Sequence, residues 1–235
     1  MNLEFIDDNL KVIEEKICAA CERSGRKREE VTLIAISKTK PVEMIERCVQ
    51  NGIRVFGENK AQELTGKLDA IENSDNLHWN FIGHLQRNKV KYIVGNVELI
   101  HSVDSERLAD AINEQSVKKG VVSDVLIEVN VAGEDSKFGV SCENTLDLAK
   151  YIASLSNVNI RGLMTIAPYV DNPEENRVHF AKLKKLLIDI NSKNIDNINM
   201  NVLSMGMTGD YEVAIEEGAT MIRVGTGIFG QRIYG

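Results

Sequence analysis

Short apolar, β-branched runs alternate with amphipathic segments of helical period along almost the whole chain. Strand candidates fall at 32–38, 54–58, 77–83, 97–104, 123–132, 159–167, 200–206 and 221–229. Helix candidates at 42–50, 60–71, 105–118, 145–155, 173–191 and 211–217 separate most of them. Strands joined through helices are parallel. Eight such units in 235 residues is the arithmetic of a closed (β/α)8 TIM-type barrel. An open doubly wound sheet is the alternative. It usually carries a glycine-rich turn after the first strand, and Ser37-Lys38-Thr39-Lys40-Pro41 is nothing like one.

An extra helix opens the chain, with Ile6, Leu10, Ile13 and Ile17 at spacings of three and four and Gly25 as its stop. Asn172 and Pro173 read as the cap and first position of a later helix. There is no low-complexity tract or Pro/Gly/Ser-rich linker, so residues 1–235 are expected to form one domain.

The balance of 28 Lys and Arg against 35 Asp and Glu gives a net charge of −7, which argues against a nucleic-acid partner. No apolar run approaches the roughly 20 residues of a membrane helix. The acidic N-terminus lacks the order of a signal peptide, so a cytoplasmic location is expected. Cys18 and Cys21 form a CxxC inside a helical pattern. No second pair completes a zinc set, so they read as small helix residues.

In a (β/α)8 barrel the chemistry sits at the C-terminal ends of the strands. Lys38 closes the first apolar run. Pointing inward, its ammonium would be desolvated and its amine made nucleophilic. Ser204 with Gly206, and Gly225-Thr226-Gly227, follow the last two strands, whose loops often hold phosphate. Their glycines let backbone N–H groups approach an anion, and the hydroxyls add donors. Arg223 shares a face with Gly225, and closure makes the eighth strand the neighbour of the first. An aldehyde-bearing phosphate ester fits this set: the anion in the loops, the amine on the carbonyl and the arginine against a ring nitrogen. That ligand is pyridoxal 5′-phosphate.

At these residues the chain resembles the pyridoxal phosphate homeostasis protein family, which looks like the isolated N-terminal barrel of alanine racemase. The matching stretches are 34–41 (IAISKTKP), 56–60 (FGENK), 79–89 (WNFIGHLQRNK), 203–207 (LSMGM) and 223–230 (RVGTGIFG). The resemblance implies that Lys38 carries the cofactor as a Schiff base. It implies that Ser204, Gly225 and Thr226 hold the phosphate, that Arg223 faces the pyridine nitrogen, and that Asn59 and His84 lie near the ring or the mouth. The chain departs from the family pattern at Asn80, where a His usually follows the Trp, and Thr208 stands where a Ser is usual.

Other marked residues read as bland. His101 and His179 have no paired acid in register, and Lys182, Lys184 and Lys185 form a solvated helix face. Arg87, Lys89 and Lys91 make a small basic cluster that could attract an anionic ligand.

Three functions fit: a non-catalytic carrier and buffer of pyridoxal phosphate that supplies apo-enzymes, a pyridoxal-phosphate enzyme such as an amino-acid racemase, and an aldolase using Lys38 alone. Racemases of this fold add a β-rich second domain, which is not expected here. Racemisation also needs proton donors on both faces of the substrate carbon, and Tyr169 and Tyr234 read as loop and tail residues. An arginine at the ring nitrogen weakens the electron sink. The carrier, as a monomer, is the expectation.

Overall fold

The computed structural model describes residues 3–71, 76–134 and 137–231. Tyr234 lies outside them. The chain opens with helix α1 (Glu4–Arg23), then alternates β1 (Thr32–Ile36), α2 (Val42–Gln50), β2 (Val55–Glu58), α3 (Ala61–Ala70), β3 (His78–Phe81), α4 (Val90–Ile93) and β4 (Leu99–Val103). The second half runs α5 (Glu106–Lys119), β5 (Ser123–Asn130), β6 (Val140–Ser141), α6 (Thr145–Ala153), β7 (Val158–Met164), α7 (Arg177–Asn191), β8 (Ile198–Met207), α8 (Tyr211–Glu216), β9 (Met221–Val224) and α9 (Thr226–Phe229).

Eight parallel strands close on themselves. The ring is β1-β2-β3-β4-β5-β7-β8-β9, and β9 returns to β1 with Arg223 opposite Ile34. The short β6 pairs only with β5, outside the ring. The barrel's outer surface and the helices share one apolar core. Helix α1 buries Ile6, Leu10, Ile13, Ile17, Ala20 and Cys21 and packs on α8 and α9. Its end is turned by Gly25 at φ +67°. Leu99, Leu126 and Met164, with Val202 and Met221, form a second apolar cluster. Period-two alternation places them inside the ring as its floor.

The first strand stops at Ile36 instead of Lys38, because Lys40 N–H turns back to the Ser37 carbonyl at 2.9 Å. The eighth strand of the barrel stops at Val224 instead of 229. Gly225 leaves the extended conformation, and its carbonyl accepts from Ile228 and Phe229 to start α9. Asn172 caps a short 3-10 helix, Pro173–Asn176, by accepting from Glu174 N–H at 3.2 Å, and α7 begins only at Arg177 instead of 173. The one-turn α4 and the two-residue β6 are too short to carry a period and were not expected. Among the described residues, no helix is long and apolar enough to cross a membrane.

Candidate functional site

The strands' C-terminal ends surround a cavity of about 620 Å³. Its size is that of a small-molecule site. Six of the seven residues singled out in the sequence line it: Lys38, Asn59, His84, Arg223, Gly225 and Thr226. Glu128, Ile166, Met207 and Thr208 complete much of the wall.

Lys38 is half-buried on the turn after β1. Asn59 follows β2, and its backbone is approached closely by Gly83. A Cβ at Gly83 would sit 2.5 Å from the Asn59 carbonyl oxygen. His84 stacks on Phe138 at 4.1 Å between ring centroids, at the cavity mouth. Gly206, at φ +88°, lies where β8 breaks register with β9, and a Cβ there would meet that of Ala214 at 2.5 Å. Just past the end of β8, Thr208 lies beside the β9–α9 loop. Thr208 Oγ1 lies 3.2 Å from Thr226 Oγ1 and accepts from Gly227 N–H at 3.2 Å.

Ser204 is the exception. It is fully buried and absent from the cavity wall, because it belongs to the layer of inward side chains below. Its hydroxyl accepts from Arg223 Nη1 at 2.6 Å, while Arg223 Nη2 donates to the Thr165 carbonyl at 2.7 Å. An arginine can only donate, so the Ser204 hydrogen is left for His101 Nδ1 at 3.0 Å. The proton of His101 is then on Nε2, which donates to Asn80 Oδ1 at 3.0 Å. Burial, and then the charge of Arg223, hold His101 well below its ordinary pKa. Ser204 thus holds Arg223 in place, and the hydroxyl beside Thr226 is that of Thr208. His101 is a core residue, but one joined to the site. Burial also brings Arg223 itself down to about 10.

Glu128 was missed in the sequence. Among the described residues, it is the one acid that lines this cavity. Burial pushes it up to about 7, helped by the charge of Asp104 and opposed by that of Arg223. The signal was an acid on the inward face of the apolar run VLIEV. Folded Glu128 therefore binds its proton more tightly than the unfolded chain does. This stability is present below pH 4.5 and is lost as pH rises through about 7. Glu128→Gln should match the wild type near pH 4.5. At pH 8 it should be more stable, by about 3 kcal/mol or roughly 5–12 °C in Tm. Thermal melts at the two pH values check this.

The bland residues stay apart from the cavity. Cys21 is buried in the core, and Cys18 is exposed against Glu14. Tyr169 is 95% exposed. Among the described residues, no cluster of His, Cys, Asp or Glu could hold a metal ion.

A closed parallel barrel with a lysine at the end of its first strand, a buried arginine on its last and a hydroxyl-lined loop beside them defines a class of small-molecule-binding barrel. The alanine racemase N-terminal domain model matches residues 6–233. A protein of Aquifex aeolicus named pyridoxal phosphate homeostasis protein is 48% identical over 97% of this chain and 98% of its own. The chain belongs to the pyridoxal phosphate homeostasis protein family, within the alanine racemase N-terminal domain group. A solved structure of an unknown protein from Bifidobacterium adolescentis superposes with a TM-score of 0.92 at 35% identity, covering 97% of this chain and 95% of that one. PipY of Synechococcus elongatus PCC7942, solved with PLP bound, gives 0.80 at 32% identity, covering 93% and 100%.

Proposed function

We propose that the chain is a non-catalytic carrier of pyridoxal 5′-phosphate in vitamin B6 homeostasis. It would act as a monomer in the cytoplasm and release the cofactor to apo-enzymes. The observation that carries this is the convergence of Lys38, Arg223, Thr208, Gly225 and Thr226 on one cavity. The family name and the PLP-bound PipY support it. A monomer suffices because every residue assigned to the cofactor comes from one chain.

The donor set fits the group. When bound, pyridoxal phosphate supplies an aldehyde that joins an amine reversibly. Lys38 is the amine. Thr226, Thr208 and the backbone at Gly225 would hold the phosphate. Arg223, fixed by Ser204 and Thr165, would donate to the ring nitrogen and keep it unprotonated. Asn59 and His84 would lie beside the ring and the mouth.

Thr226→Ala and Thr208→Ala should each weaken binding about 10- to 150-fold, since each removes a hydrogen bond to a charged group worth roughly 1.5–3 kcal/mol. Titration followed by visible absorption measures this, and unchanged affinity in both variants places the phosphate elsewhere.

One observation favours a second reading, a racemase-type enzyme. Glu128 shares the cavity with Lys38 and titrates near neutrality, as a second proton-transfer group would. Proton NMR in heavy water decides between them. A carrier gives no sustained α-proton exchange on D- or L-amino acids. Turnover exchange that Lys38→Ala abolishes would favour the enzyme.

A further inference from the structure

We infer that the buried cluster of Glu58, Lys67 and Glu63 positions Lys38, by holding the residue on each side of it. The inference rests on the reading of Lys38 as the amine that takes the cofactor's aldehyde.

Residues 37–40 form a turn closed by Lys40 N–H to the Ser37 carbonyl. Its third residue, Thr39, has φ +65°. A positive φ there belongs to a type II turn, which normally wants glycine and is disfavoured for a β-branched residue. A type I turn would relieve this by flipping the peptide between Lys38 and Thr39. That flip would redirect the Lys38 end of the turn. The N–H of that same peptide donates to Glu63 Oε1. Glu63 therefore selects the disfavoured turn.

The cluster behind the turn is built around one ammonium. Lys67 Nζ donates to Glu63 at 2.8 Å, to Glu58 at 2.5 Å and to the Ser37 carbonyl at 2.8 Å. Glu58 Oε1 also accepts from the Ser37 hydroxyl at 2.6 Å. Glu58 and Ser37 are fully buried, and Glu58 Oε2 has no hydrogen-bond partner among the described residues. Buried ion clusters are a poor source of stability compared with apolar packing. In this cluster the contacts converge on Ser37 and Thr39, the two neighbours of Lys38. Lys67, Glu58 and Glu63 line no part of the cavity and do not touch the cofactor's place. They are positioning residues.

In the step they serve, the Lys38 amine adds to the aldehyde carbon. A C=N bond replaces the C=O, and the aldehyde oxygen leaves as water with both amine protons. Only this step needs the turn, whereas holding the phosphate does not. The test compares pyridoxal 5′-phosphate with pyridoxine 5′-phosphate, which has no aldehyde. Attachment is followed by stopped-flow visible absorption, and pyridoxine phosphate affinity by calorimetry. Glu63→Ala should slow attachment about tenfold or more and leave pyridoxine phosphate affinity within about twofold. Glu63→Gln keeps an oxygen acceptor and should attach at close to the wild-type rate. Thr39→Gly, which adopts positive φ freely, should restore most of the rate in the Glu63→Ala background. Unchanged attachment in Glu63→Ala would overturn the inference alone. So would a parallel fall in pyridoxine phosphate affinity, which would mark general collapse of the pocket. A wild type that binds both compounds but never attaches the aldehyde would overturn both the inference and the reading beneath it.

Discussion

Lys38→Ala should leave a folded barrel that no longer gains a visible absorption band when pyridoxal 5′-phosphate is added. Lys38 is half-buried on a turn at the cavity wall. Truncating it opens no core cavity and should change stability by about 1 kcal/mol or less. The neighbouring amines are committed elsewhere. Lys40 Nζ donates to the Phe229 and Gly230 carbonyls at 3.2 and 3.4 Å. Lys67 is held in its buried cluster, and Lys60 faces an adjoining cleft. The hydroxyls and Arg223 are untouched, so pyridoxine 5′-phosphate should bind the variant within about threefold of the wild type. Borohydride reduction followed by peptide mass mapping complements the spectrum. A band that persists, or a pyridoxyl mass on Lys40 or Lys60, removes Lys38 from its assigned role.

The second large effect is on stability. Lys67→Met should destabilise the protein by roughly 3–5 kcal/mol, because it removes one partner from a buried ion cluster and leaves the other charges unpaired. Lys67 bridges Glu58, Glu63 and the Ser37 carbonyl, and its side chain is 7% exposed. Burial already raises Glu58 above its ordinary value, with the bonds from Lys67 and Ser37 opposing it. Without the ammonium, the Glu58 carboxyl rises further. A raised carboxyl contributes stability below its unfolded value of 4.5 that is lost as pH climbs through the folded one. The deficit should therefore be small near pH 4.5 and full at pH 8, where Tm falls by roughly 6–20 °C. Glu58→Gln combined with Lys67→Met removes the most buried unpaired charge and should recover part of the loss. Denaturant titration at both pH values measures this, and a deficit that does not depend on pH would assign it to packing alone.

The fold was largely legible because each strand–helix unit has its own period, as in 42–50, which matches α2 residue for residue. The ends of strands were less legible. Nothing in the pattern of 221–229 marks where Gly225 stops the strand and starts α9. The site shows a similar limit. Alternation correctly turns Arg223 inward, but it does not say in which layer of the barrel an inward residue lies. Ser204 falls in the layer below the cavity, and Thr208, beyond the end of β8, lies beside Thr226. The Asn80–His101–Ser204–Arg223 chain joins four strands, and contacts so distant in sequence leave no local trace. The Glu63–Lys67 spacing of four was visible, but an exposed helix pair has the same spacing.

The most direct measurement of carriage is transfer. Protein loaded with one equivalent of pyridoxal phosphate is freed of unbound cofactor and mixed with a purified apo-enzyme. The enzyme's recovered activity and the visible band of the loaded protein are followed together, with free cofactor as the calibration. A carrier loses its band as activity returns, mole for mole, and the Lys38→Ala protein put through the same loading restores none. A band that stays while the apo-enzyme remains inactive would contradict carriage and leave a protein that binds the cofactor without giving it up.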